Sequence, residues 1–358
     1  MNDPFRWAIL GTGPVARKFV HALRLLGGAA RAEVVASRDP ANARAFADAV
    51  GVARAVPDYA AAVGAEVDAV YIATPPALHE THAALAIGAG RAVLIEKPLA
   101  TDAAGAARIA EAAAEAGVFA MEAMWTRFLP VVAAVRSRIE AGDIGELRAF
   151  EGAFLGATRP DPATGLFDPE RGGGALLNRG VYPLSLARLF LGLVAEVKSM
   201  ARIGATGIDE ETALLLRHAS GAVSTIRASL RTGGEPPLAV YGTKGTIRFA
   251  GPVWRPVGAT LTPVRAGGGM TAPARFESLR ETPFAQALSR RSEPLKRLLR
   301  HGPETIRAPL RGSGYQYEAE AVMEAVRRGA TGSPVMPLSE SVEILEIVDA
   351  ARAAWQTA

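Results

Sequence analysis

At 358 residues the chain exceeds the roughly 250–300 residues at which one core stops growing, so two domains are expected, and 49% hydrophobic with 21% charged residues excludes global disorder. It contains no cysteine, which rules out disulfides, thiolate metal ligands and cysteine nucleophiles and suits a reducing, cytoplasmic setting. A formal net charge of +4 is weak support for a polyanionic partner, and no apolar run reaches about 18 residues, so neither nucleic acid nor membrane is expected as a partner.

From Phe5 to Met121, short β-rich runs alternate with Ala-rich helical stretches, the pattern of βαβ units around a parallel sheet. Strands are expected at Arg6–Leu10, Glu33–Ser37, Asp68–Ala73, Ala92–Ile95 and Val118–Met121. Helices are expected at Val15–Leu26, Ala41–Ala49, His79–Gly88 and Ala103–Ala116. Burial of the sheet on both faces accounts for strands that read as nearly continuous apolar runs. After Trp125 the pattern changes. A helix at Val131–Ala141 ends in the turn Gly142-Asp143-Ile144-Gly145, and alternating strands follow, among them Glu146–Leu155, Glu211–His218 and Ala222–Leu230. Strands joined by short turns predict an antiparallel sheet. The expected fold is therefore an α/β Rossmann domain with a mostly parallel sheet over residues 1–124, then an α+β domain with a large, mostly antiparallel open sheet over residues 125–358. Residues 262–314, with a GGG run and Arg290, Arg291, Lys296, Arg297 and Arg300, are expected to leave that sheet as a basic excursion holding one short helix. The basic run fits a solvated helix or a subunit contact better than a nucleic-acid reader, since no aromatic platform accompanies it. Helices resume at Tyr315–Arg328 and Ser339–Trp355.

The strongest local signal is Gly11-Thr12-Gly13-Pro14-Val15-Ala16, directly after the first strand and opening the first helix. Gly11 permits the tight turn, Gly13 lets backbone approach a pyrophosphate, and Ala16 allows close helix–sheet packing. The helix N-terminus then offers free N–H groups to phosphate. At the end of the second strand an acidic residue usually serves the ribose of NAD, whereas this chain has Ser37 and Arg38, which can bind a 2′-phosphate. NADP is favoured; NAD is the alternative, with Asp39 on the ribose and Arg38 a solvated charge. Ala73-Thr74-Pro75-Pro76 ends the third expected strand and should line the nicotinamide side of the crevice. His79, at the following helix start, is read as a histidine that packs or hydrogen-bonds rather than one that catalyses, and is grouped with Thr74 and Pro75 on the cofactor edge. Glu96-Lys97-Pro98 closes the next strand on that edge, where Lys97 can reach the nicotinamide ribose and a substrate hydroxyl; a surface lysine is the equal local alternative. HExxH, clustered histidines and paired cysteines are all missing, so no metal site is expected.

In this order and in these βαβ positions, Gly11 to Ala16, Ala73-Thr74-Pro75-Pro76 and Glu96-Lys97-Pro98 resemble the glucose-fructose oxidoreductase / inositol dehydrogenase (Gfo/Idh/MocA) family. Met121 to Phe128, Gly142 to Gly145, Gly172 to Leu177, Gly180-Val181-Tyr182-Pro183 and Gly242-Thr243-Lys244-Gly245 resemble its branch of dimeric dihydrodiol and NADP-dependent D-xylose dehydrogenases. The similarity covers both domains apart from the basic excursion. It implies a site in which Lys97 and Tyr182 meet over the nicotinamide, the ammonium lowering the phenol pKa so that Tyr182 can take a hydroxyl proton. Asn178, four residues before Tyr182, stands where many family members carry an aspartate and completes the catalytic set; it can orient a hydroxyl but cannot hold a negative charge. Trp125, Phe154 and Trp254 match aromatic pocket positions, and Arg127 either binds a substrate oxygen or forms a structural ion pair. The implied substrate is a cyclic sugar or polyol, D-xylose-like or a trans-dihydrodiol. The implied assembly is a homodimer or higher homo-oligomer through the C-terminal sheet. A redox-neutral enzyme using transient oxidation and a non-catalytic NADP sensor are the alternatives.

Overall fold

The computed structural model describes residues 3–264, residue 282 and residues 302–356. Strands β1 (Phe5–Leu10), β2 (Ala30–Ala36), β3 (Arg54–Val56), β4 (Ala69–Ile72), β5 (Ala92–Glu96) and β6 (Ala120–Ala123) pair in parallel in the order β3-β2-β1-β4-β5-β6. That order reverses direction between β1 and β4, so a crevice opens at their carboxyl ends, where ligands of such sheets bind. Helices α1 (Pro14–Arg24), α2 (Pro40–Val50), α3 (Tyr59–Val63), α4 (His79–Gly88) and α5 (Ala103–Ala116) make the crossovers. Every residue of β4 and β5 is buried, as expected of strands covered on both faces. In α1 the buried Ala16, Phe19, Val20 and Leu23 recur at helical spacing. Phe19 stacks on Tyr71 of β4 at 3.8 Å between ring centroids and meets Trp7 of β1 edge-on at 5.1 Å, which seats α1 on the sheet.

The second sheet contains β7 (Leu147–Leu155), β8 (Val194–Ile203), β9 (Asp209–His218), β10 (Val223–Ser229), β11 (Ala239–Gly242), β12 (Gly245–Ala250), β13 (Gly258–Pro263) and β14 (Glu304–Ile306), in the order β14-β13-β12-β11-β7-β10-β9-β8. All its pairs are antiparallel except β7 with β10. Helix α6 (Pro130–Glu140) follows the Rossmann unit, and α7 (Val181–Leu191) lies on β7. The last two helices return to the Rossmann unit: α8 (Tyr315–Arg327) packs on α1 and the turn Trp125–Phe128, and α9 (Leu338–Gln356) packs on α5 and β8.

Helices α4 and α5 have the bounds read from sequence, while β2 starts three residues earlier than expected because Ala30 to Ala32 pair with Phe5 to Trp7. The short β3 and α3 were not anticipated; three residues carry no readable alternation. The basic excursion leaves from β13 and its far end returns as β14 beside it. Its expected helix, with Arg290 to Arg300, lies outside the described residues.

Candidate active site

The Gly11 turn sits at the carboxyl end of β1. Gly11 has φ 107°, and a Cβ there would lie 2.6 Å from the Ala73 carbonyl oxygen, so only glycine lets β1 and β4 approach this closely. Beyond Thr12, Gly13 faces open space and caps α1 without a side-chain bond, Pro14 occupies the first helical turn, and Val15 follows half-buried. The N–H groups at the start of α1 are therefore free of side-chain caps and the backbone is accessible, which fits a pyrophosphate.

At the end of β2, Ser37 is buried and Arg38 is exposed, with the Arg38 amide donating to the Tyr59 hydroxyl at 3.1 Å. Asp39 accepts from the Ala41 amide at 2.9 Å as N-cap of α2. Its carboxylate is engaged in capping while the Arg38 guanidinium extends into solvent. On the opposite side of the crevice, Thr74 donates or accepts with His82 Nδ1 at 2.9 Å and Pro75 leads into α4. His79 is fully buried between the Pro98 and Thr74 carbonyls, each 2.9 Å from a ring nitrogen, and burial lowers its pKa to about 4. Its ring is enclosed and presents no face to a cofactor. It ties the Thr74 turn to the Lys97-Pro98 turn, which is the packing and hydrogen-bonding role read from sequence, and it supports the cofactor edge rather than lining it.

Lys97 follows β5 and Tyr182 opens α7. Lys97 Nζ donates to the Asn178 carbonyl at 3.0 Å and lies 4.9 Å from the Tyr182 ring centroid, so the fold brings Lys97, at the end of β5, together with Asn178 and Tyr182 from the turn and helix that lie on the second sheet. The turn Leu176–Gly180, wound with π-helical pitch, delivers both Asn178 and Tyr182. It is anchored by buried Asp209, which accepts from the Leu176 amide and the Thr212 hydroxyl at 2.7 Å each. The Asn178 amide donates to the Gly172 and Gly174 carbonyls at 2.9 and 3.0 Å. Both N–H groups are thus used on backbone, and only its Oδ1 is left to meet a hydroxyl.

The expected lowering of the Tyr182 pKa is reversed. Burial, reinforced by Glu96, raises it, while the Lys97 pKa is lowered by burial against the pull of Glu96 and Glu122. Desolvation disfavours both charged forms, and the amine lies over the ring face. Phe154 flanks Tyr182 at 5.6 Å between centroids and stacks on Trp254 at 4.1 Å. Trp125 is buried and stacks on Tyr315 at 4.7 Å.

Arg127 is elsewhere. Its side chain has no exposure, forms an ion pair with Glu340 at 2.6 Å, and donates to Ser185 Oγ, the Ser185 carbonyl and the Val335 carbonyl at 2.7, 2.8 and 3.0 Å. Substrate binding by Arg127 is thus corrected to the structural ion pair. Sequence reading named Glu96 on the cofactor edge but missed that it belongs to a buried acidic layer beneath Lys97. Glu96 accepts from the Tyr71 hydroxyl and, at 3.1 Å, from the Lys97 amide; burial raises its pKa to about 7. Glu122 accepts from the Leu99 amide at 3.1 Å and is likewise raised by burial. Glu318 of α8 has both carboxyl oxygens buried without a hydrogen-bond partner among the described residues, and burial followed by Glu96 holds its pKa far above the usual range. Its place among buried Tyr315, Ala319 and Val322 was the available signal: an acid on the apolar stripe of a helix.

Residues 5–124 match the model described as an oxidoreductase family with an NAD-binding Rossmann fold, and residues 132–248 match the GFO/IDH/MocA C-terminal domain. The chain belongs to the Gfo/Idh/MocA oxidoreductase family. It is 30% identical over 357 residues to the trans-1,2-dihydrobenzene-1,2-diol dehydrogenase of Mus musculus, covering 98% of this chain and 96% of that one. The Homo sapiens enzyme of that name is 29% identical over 353 residues with the same coverage. Among solved structures, a levoglucosan dehydrogenase in complex with NADH and levoglucosan shares the fold at TM-score 0.82 and 20% identity over 99% of this chain and 98% of that one. A 3-ketoreductase from Actinomadura kijaniata with NADP and TDP-benzene does so at TM-score 0.78 and 24% identity, over 98% and 97%. This Gfo/Idh/MocA protein is accordingly an oxidoreductase built on a dinucleotide-binding domain.

Proposed function

We propose that the protein is an NADP-dependent dehydrogenase moving a hydride between nicotinamide and a hydroxyl or carbonyl carbon of a cyclic sugar or polyol, with Lys97 and Tyr182 at the reacting group. The observation that carries this reading is the Lys97 amine poised 4.9 Å over the Tyr182 ring at the carboxyl edge of the Rossmann sheet, beside the Phe154–Trp254 stack. Relatives named for a dihydrodiol, and a fold neighbour solved with levoglucosan, support a cyclic polyol. Aromatic walls suit the apolar face of such a ring.

NADP, when bound, supplies the hydride acceptor or donor. Gly11, Thr12, Gly13, Pro14 and Val15 would hold its pyrophosphate, Ser37 and Arg38 its 2′-phosphate, and Thr74, Pro75 and Lys97 its nicotinamide ribose. Exposed Arg38 beside a capping Asp39 supports NADP over NAD. A phenol kept neutral by burial is suited to donate its proton to a carbonyl oxygen in reduction. In oxidation, the Lys97 amine, made easier to deprotonate, can take the proton passed through Tyr182.

The test is a panel of pentoses, hexoses, inositols and dihydrodiols with NADP⁺ and NAD⁺, read by reduced nicotinamide. Lys97→Met and Tyr182→Phe are each expected to lower kcat by about 10²–10⁴-fold. Undiminished turnover in both removes the assignment, and product without net reduced nucleotide favours a redox-neutral reaction.

The outer face of β8, β9 and β10 exposes Met200, Leu215 and Val223, apolar positions beside Lys198, Arg217 and Arg227, which supports self-association through this sheet. Sedimentation velocity of wild type and Leu215→Glu tests it: a monomeric wild type refutes it. A cysteine-free sequence supports a cytoplasmic setting. Among the described residues no helix is long and apolar enough to cross a membrane.

A further inference from the structure

Arg179 follows Asn178 in the turn that delivers Tyr182. Its Nη1 donates to the Gly156 carbonyl and, at 2.5 Å, to the Ser229 carbonyl, and its Nη2 donates to Thr158 Oγ1 at 2.7 Å. These three bonds use three of the five guanidinium donors and leave two. All three acceptors are neutral, and no ion pair with a carboxylate is formed among the described residues. A half-buried cation without a counter-charge is costly, and an incoming anion relieves that cost.

The guanidinium is linked to the reacting groups through Phe154. It lies 5.3 Å from the Phe154 ring centroid, and Phe154 in turn flanks Tyr182. Its field reaches Lys97, whose charged form it disfavours. The site thus carries two cations, Lys97 and Arg179, around a neutral Asn178. Glu96 and Glu122 pull on Lys97 from beneath, so Lys97 has acids that answer its charge, while Arg179 has no carboxylate partner among the described residues.

We infer that the preferred substrate is anionic, a cyclic polyol bearing one carboxylate, which Arg179 holds while Lys97 and Tyr182 address a ring hydroxyl. The inference deepens the dehydrogenase reading above and rests on it. In the oxidative direction the carbinol C–H leaves as hydride to NADP⁺ and the hydroxyl proton leaves to the Tyr182–Lys97 pair. The carboxylate is unchanged.

The experiment compares D-glucose, D-glucuronate and the neutral methyl ester of D-glucuronate, which differ at C6. For wild type with NADP⁺, kcat/KM is expected to favour glucuronate over both neutral rings by roughly ten- to hundredfold, the range of a charge-assisted contact. The preference should shrink as salt is raised from about 50 mM to about 500 mM. Arg179→Met should collapse the acid-to-neutral ratio, and Arg179→Lys should restore part of it, which a merely structural role would not do. Calorimetric titration of the dead-end NADPH complex with glucuronate and glucose gives a readout independent of turnover, and should show the same order. If Arg179→Met fails to fold, the wild-type ratio, its salt dependence and the Lys variant still decide. Equal turnover and equal binding of acid and neutral rings by wild type overturns the inference while leaving a sugar dehydrogenase standing. Oxidation of neither, with glucuronate nonetheless bound more tightly, supports the anion site and counts against the dehydrogenase reading. Oxidation of neither and no selective binding overturns the inference.

Discussion

Replacing Arg127 with methionine separates its two readings cleanly. The side chain has no exposure and makes four hydrogen bonds, one of them within the 2.6 Å ion pair to Glu340. Breaking a buried pair by removing one partner costs about 3–5 kcal/mol, because the remaining polar groups stay desolvated. Glu340 retains Arg188 at 3.8 Å and is 19% exposed, so water and a second cation soften the loss and place the expectation near about 3 kcal/mol. At about 2.1 cal/mol/K per residue, unfolding entropy for this chain is about 0.75 kcal/mol/K, so Tm should fall by about 4 °C, provided the chain melts as one unit. Differential scanning calorimetry reads this directly, and a double-mutant cycle with Glu340→Gln isolates the pair. KM for the sugar should change far less than kcat. A melting temperature unchanged within about 1 °C, together with a tenfold rise in KM, would refute the structural role and return Arg127 to the substrate.

Three further outcomes follow from the geometry. Arg38→Ala should weaken NADP⁺ binding by roughly ten- to hundredfold and leave NAD⁺ affinity in place, measured by fluorescence titration; equal effects on both would refute a 2′-phosphate contact. Asn178→Asp would set a carboxylate against the Gly172 and Gly174 carbonyl oxygens, where the amide now donates at 2.9 and 3.0 Å; it should destabilise the fold by about 1–3 kcal/mol in denaturant titrations, and an unfolding free energy equal to that of wild type would contradict this. Glu96 has its pKa raised from 4.5 to about 7, so the stability contributed by its neutral form is present below 4.5 and lost as pH rises through about 7. Between pH 5 and 8 the wild type should therefore lose about 2–3 kcal/mol relative to Glu96→Gln in denaturant titrations, and parallel pH profiles would show that Glu96 does not titrate there.

The Rossmann half was legible because its signals are local. A strand, a glycine turn and an amphipathic helix within Phe5–Arg24 carry the fold and the phosphate-facing backbone, and Lys97 announces itself by standing at a strand end beside proline. Arg127 was not legible, since its partners lie 58 to 213 residues away and a lone arginine after a tryptophan reads equally as ligand or strut. The direction of the Tyr182 shift was misread for a related reason. A neighbouring lysine is visible in the motif, but the desolvation that outweighs it comes from elements of both sheets closing over the ring. Arg179 was visible as a residue beside Asn178, yet its lack of a carboxylate partner emerges only when the loops at Gly156 and Ser229 fold around it.

The placement of Lys97 against Tyr182 depends on contacts far from either. Lys97 follows the last residue of β5 in the first sheet and its acceptor, the Asn178 carbonyl, lies in the turn Leu176–Gly180 packed on β10 of the second, so a shift between the sheets of a few tenths of an ångström is felt in that 3.0 Å bond. What resists the shift is the C-terminal pair of helices. Asp349 of α9 accepts from the Ala103 amide at 2.8 Å, so it serves the first turn of α5, and Arg352 donates to the Thr101 carbonyl at 3.0 Å just before it. Arg127 ties the segment after β6 to α7 and α9 together. Each tie joins a charged side chain of one part to a partner fixed in another, and such bonds have a narrow range of tolerated geometry. The last helix therefore acts as a brace across both sheets, and substitutions in it should change kcat through the Lys97–Tyr182 spacing even though none of its residues enters the site.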